Sequence, residues 1–144
     1  MTLHAHSAAS VLLVAVTLIA AGWDLYVRRV PLAVNALGLV GLPLWAFSQS
    51  TPTRACIAVA FGFLGGVVGF AIPVLLERRI GSIGGGDIAL LTAAGVIVGP
   101  LEVMWLAVVA WLIFAFGYGR RRISAPAAPA VFFAALLLVG IRSI

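Results

Sequence analysis

Only four acids occur in this chain of 144 residues: Asp24, Glu77, Asp87 and Glu102. Glu77 directly precedes Arg78 and Arg79 and reads as an interfacial ion pair. Glu102 follows Gly99-Pro100, where a carboxylate near a helix start suits the helix dipole. Asp24, in Gly22-Trp23-Asp24-Leu25-Tyr26, and Asp87, directly after Gly84-Gly85-Gly86, have no such neighbours. Two carboxylates sharing a partly dehydrated site cannot both ionise easily and titrate as a coupled pair. One proton held between them leaves a base that activates water and an acid that polarises a carbonyl, the arrangement of aspartic proteases. Gly84, Gly85 and Gly86 let the chain turn and let another backbone approach. An extended substrate could then pair with their main chain. Either aspartate alone is better explained as a helix-end cap or a solvated interface residue; taken together, one behind a triple glycine, they leave both readings open. With one cysteine, Cys56, and with His4 and His6 far in sequence from any acid, neither a metal site nor a cofactor is expected.

The elements that must carry these aspartates follow from composition. The chain is 64% hydrophobic and 9% charged, with a mean hydropathy of +1.23. That excess is incompatible with a water-soluble globule of this size. It excludes a soluble enzyme, a disulfide scaffold and a disordered chain. The sequence pI of about 11.2 would suit nucleic acid, but the arginines lie in short clusters between apolar runs, a spacing that marks membrane topology and not a nucleic-acid partner. The expected fold is all-α, a polytopic membrane protein with a bundle of six transmembrane helices in one domain, 1–144. The spans run from Ala8 to Tyr26, Pro31 to Phe47, Ala55 to Leu76, Asp87 to Val98, Leu101 to Tyr118 and Pro129 to Ile141. Because the arginine pair follows the first span, that span reads as a permanent helix and not a secretory signal.

Arginines set the orientation. Arg28, Arg29, Arg78, Arg79, Arg120, Arg121 and Arg122 fall in connections on one side, against Arg54 and Arg142 on the other. The excess places both termini outside and the Arg-rich connections in the cytoplasm, beside anionic lipid. The first and fourth spans then bring Asp24 and Asp87 to a similar depth near the cytoplasmic face. In the third span, Gly62-Phe63-Leu64-Gly65-Gly66-Val67-Val68-Gly69 holds two overlapping GxxxG patterns. They predict a helix–helix contact inside the bundle. Trp23, Trp45, Trp105 and Trp111 suit interfacial anchoring.

Gly84-Gly85-Gly86-Asp87-Ile88-Ala89-Leu90-Leu91 resembles the GxGD motif of intramembrane aspartyl proteases, in the form found in type IV prepilin peptidases. Asp24-Leu25-Tyr26-Val27-Arg28-Arg29-Val30-Pro31 is similar to that family's first aspartate segment, and Pro126-Ala127-Ala128-Pro129 resembles the start of its last helix. The likeness runs from Asp24 to Val139. It implies that Asp24 and Asp87 are the catalytic pair of a prepilin leader peptidase in a prokaryotic inner membrane. The implied substrate is a type IV pilin-like precursor, cut between basic leader and apolar helix at the cytoplasmic face. The family's usual Lys two positions after the second aspartate is Ala89 here, and the Asn often found after the first motif's proline is Leu32. A Cys-rich N-terminal domain is not in the sequence, so the likeness implies a peptidase-only form, as in tight-adherence pilus systems.

Two other classes compete. A small ion- or proton-coupled transporter would use Asp24 and Asp87 as ligands and would need further polar groups deeper in the bilayer. Asn35 and Thr92 are the few such side chains within the predicted spans. A non-catalytic pilus-assembly subunit would need neither aspartate. The sequence leaves the oligomeric state, the pilin and the scissile bond open.

Overall fold

The computed structural model describes residues 3–27, 30–31, 33, 36–47, 49, 51–80, 85–118 and 127–142, with side chains left out at 3–7, 77–80, 85, 117–118 and 142. These residues are helical throughout their regular elements, and no strand occurs among them. The elements are α1 (Leu3–Val27), a 3-10 turn (Leu37–Val40) running into α2 (Gly41–Phe47), α3 (Pro52–Ile80), α4 (Gly85–Val98), α5 (Pro100–Tyr118) and α6 (Ala128–Arg142). The boundaries agree with the sequence reading to within a few residues, except in two places. Pro31 lies outside any helix, and the second stretch is helical in short pieces instead of one span. The third helix continues through Glu77-Arg78-Arg79 to Ile80, where the charges were expected to end it.

α1 over Ala8–Val27 and α3 over Pro52–Leu76 are long and apolar enough to cross a membrane. The remaining apolar helices are shorter, between 10 and 17 residues in their apolar runs.

α4 is the centre of the bundle. It packs against α1, the 3-10 turn, α2, α3, α5 and α6, while α1 and α3 do not meet among the described residues. Its second half is wholly enclosed: every residue from Ala93 to Pro100 is buried. The outer helices each turn one stripe inward. Val103, Leu106, Ala107 and Ala110 of α5 and Val131, Ala134, Ala135 and Leu138 of α6 are buried at helical spacing. On α1 the stripe is Leu13, Val16, Thr17, Ala20 and Asp24. Large and small residues are distributed in reverse of a water-soluble core. No Phe, Trp or Tyr is buried among the described residues, while Tyr26, Phe47 and Phe116 are almost fully exposed, at 90%, 86% and 86%. Small residues inside let the helices approach one another closely.

The closest approach joins α3 to α4. A side chain at Gly65 would collide with the Gly95 carbonyl, and one at Gly69 with the Leu91 carbonyl. At Gly66 an added Cβ would stand 2.7 Å from Val96 Cγ2, and at Gly62 it would stand 2.8 Å from Trp45 Cδ1. Both expected GxxxG pairs therefore face a neighbouring helix within the chain. The turn into α5 takes one residue. Gly99, at φ +93°, donates its N–H to Gly95 O (2.8 Å), and its own carbonyl receives Val103 N–H (3.2 Å). Only glycine reaches that φ without strain. Pro100 then opens α5 with the fixed φ of a first helical residue. Since Pro100 has no N–H, the carbonyl of Val96 four residues earlier lacks its helical partner. Trp45 Nε1 donates to it at 2.9 Å.

Candidate active site

Asp24 is placed by the last turn of α1 and Asp87 by the first turn of α4, helices that pack against each other. Asp24 ends the buried stripe of α1 and is 6% exposed, whereas Asp87 is half-buried. Both carboxylates lie at the end of the bundle where α1 finishes and α4 begins. Residues 63 positions apart in sequence thus share one end of the bundle, the end that also holds the starts of α4 and α6.

Asp24 has a partner the sequence reading did not foresee. The N–H of Ala128, first residue of α6, donates to Asp24 Oδ2 at 3.2 Å within the buried interior. A helix start leaves its first N–H groups without intrahelical acceptors, and an acidic oxygen there is well suited to take one. The likeness of Pro126-Ala127-Ala128-Pro129 to a known helix start pointed to this segment, but nothing in the spacing paired it with Asp24.

The glycines before Asp87 divide. Gly84 lies outside the described residues. Gly85 and Gly86 form the first turn of α4, not an extended strip. Gly86 does receive a second backbone: a Cβ there would stand 3.1 Å from Val30 Cβ and 3.3 Å from Val30 N. The strand that needs the missing side chain is the chain's own, just beyond α1. The N–H groups of this first turn are free of i−4 partners by the geometry of a helix start.

The other candidates fall away from the pair. Glu102 is in the first turn of α5, as expected for a residue favourable to the dipole. The side chain of Glu77 and those of His4 and His6 lie outside the described residues, as does Asn35. Cys56 is exposed. No cluster of three His, Cys, Asp or Glu side chains occurs among the described residues. Trp23 and Trp111 are half exposed, while Trp45 is held at Val96 by its indole. Thr17, which the sequence reading passed over, is fully buried in α1. Its Oγ1 donates to its own helix, at Leu13 O (2.8 Å) and Val14 O (3.2 Å). Thr92 Oγ1 does the same to Ile88 O at 2.8 Å. Comparison with family models, with curated proteins and with solved structures found no match.

Proposed function

We propose that this chain is a membrane-embedded aspartic endopeptidase that removes the basic leader from pilin-like precursors, with Asp24 and Asp87 as its catalytic pair. The observation that carries the reading is that Asp24, at the end of α1, and Asp87, at the start of α4, are brought from distant parts of the sequence to one end of an apolar bundle. The apolar exterior and the small-residue interior support six membrane crossings, with both termini outside and the aspartate end at the cytoplasmic face of a prokaryotic plasma membrane. α4 has 14 residues, which at the helical rise span about 21 Å, against a hydrocarbon core of about 30 Å. With its far end joined to α5 at Gly99, its Asp87 end is recessed below the lipid surface, where a scissile bond at the border of leader and helix lies.

In the reaction, the charged carboxylate of the pair takes a proton from water as the water oxygen bonds to the peptide carbon. The protonated member gives its proton to the carbonyl oxygen. The tetrahedral species then collapses, the C–N bond breaks, and the departing nitrogen takes a proton from the pair. The first-turn N–H groups at Gly85 and Gly86, with Gly84 before them, are the substrate-binding groups of this proposal. It needs no metal or cofactor.

The test is co-expression with a pilin-like precursor from the same genome, followed by precursor size. Asp24→Asn and Asp87→Asn, present in membranes at wild-type levels, should each leave the precursor uncut. Unchanged processing in either would end the reading. The bond from Ala128 to Asp24 favours a second reading, a non-catalytic assembly subunit in which Asp24 only caps α6. That subunit would retain its function in Asp87→Asn. A transporter gains no support from the hydroxyls of Thr17 and Thr92, since each is bonded to its own helix.

A further inference from the structure

The first turn of α6 accounts for its own amides with one exception. Ala130 N–H and Val131 N–H both donate to Ala127 O, at 3.0 and 3.2 Å. Pro129 has no N–H. The residue in the N-cap position is Ala127, whose methyl cannot cap. Ala128 alone retains a donor, and it is spent on Asp24 Oδ2, 104 residues away in sequence. Asp24 itself takes no other hydrogen bond among the described residues. A carboxylate has two oxygens, and this contact assigns one of them.

We propose, on the footing of the peptidase reading, that the Ala128 N–H is a positioning group for the catalytic pair. It holds Oδ2, fixes the rotation of the Asp24 carboxylate, and leaves Oδ1 as the oxygen that works with Asp87. α6 thereby becomes part of the site without contributing a side chain to it. The bond also explains why a short apolar helix can begin inside the bundle with no polar cap of its own.

Ala128→Pro tests this directly. It deletes the one N–H while proline remains compatible with a first helical position. The expected result is a fall in kcat per folded molecule of about 10- to 100-fold, with KM for the precursor within about twofold and the melting temperature in detergent lower by about 5 °C, as for any loss of this bond. A merely structural bond would move the melting temperature and leave kcat per folded molecule intact, and that result would overturn the proposal. Because Ala128 is fully buried, the ring can prevent folding, so Asp24→Asn and Asp24→Ala are measured beside it. An amide oxygen still accepts from Ala128, and a methyl does not. Asp24→Asn should melt with wild type and Asp24→Ala about 5 °C lower, whereas equal melting of the two would overturn the tether. If wild type cuts no precursor, the peptidase reading fails, and the tether is judged by the Asn and Ala pair alone.

Discussion

The two halves of α4 are held in opposite ways. From Ala93 to Pro100 the helix is enclosed completely, and its neighbours approach through missing side chains at Gly38, Gly41, Gly62, Gly65 and Gly66. From Gly86 to Ala89 it is half-buried, beside Val30 and the carboxylate of Asp24. One half is fixed by backbone against backbone, where a single methyl is too much. The other half is bordered by polar groups and by a single chain crossing. The lesson is that the aspartate end of this helix is positioned with fewer close backbone contacts than its other half. It is the end of a helix clamped along its other half, and on the peptidase reading it is the end that a substrate chain would approach.

The contrast can be broken most severely at its polar end. Asp24→Asn or Asp87→Asn should lower processing at least about 1000-fold, the scale on which acid and base groups act, read from the ratio of precursor to mature band. At the clamped half, Gly65→Leu should cost about 3 kcal/mol or more, since the new side chain meets the Gly95 carbonyl and has no flexible neighbour to displace. A lower melting temperature in detergent, together with reduced membrane yield, checks this. Trp45→Phe keeps the ring but strands the Val96 carbonyl, and should cost about 1–2 kcal/mol by the same melt. Processing per folded molecule should hold in that variant, because the loss falls on the clamp and not on the pair. The smallest effect sharpens the comparison: Gly22→Ala, where nothing lies within 4 Å of an added Cβ, should stabilise by about 0.5–1 kcal/mol. Among the described residues, glycine is then required where a neighbouring helix presses on it or, at Gly99, where φ is positive.

How much of this was legible depends on which kind of periodicity the residues carried. The helices themselves were visible because Gly, Pro and Arg punctuate the apolar runs, as at Gly99-Pro100 and Ala127-Ala128-Pro129. The partner-facing side of α3 was visible through its glycines. The inward faces of α1, α5 and α6 were not, because these helices are apolar all round and polarity marks no face. Their buried stripes are defined by residue size instead, alanine and valine inside and phenylalanine and tryptophan outside. Arg78 and Arg79 did not end α3 because arginine is itself a good helix former. Asp24 and Asp87 were found as residue types at a matching depth. The bond between Asp24 and Ala128 was out of reach, since a backbone donor carries no sequence identity.

The single-residue joint at Gly99 also bears on how the chain enters a membrane. Val98 closes one helix and Pro100 opens the next, so α4 and α5 have no slack in which to move apart. A lone α4, 14 residues long with an aspartate in its first turn, is too short to cross the hydrocarbon unaided. Joined to the 19 residues of α5, it would enter, on the proposed reading, as half of a hairpin. An extra residue inserted at this joint would turn one arm of the hairpin by about 100° against the other, upsetting assembly before any chemistry is tested.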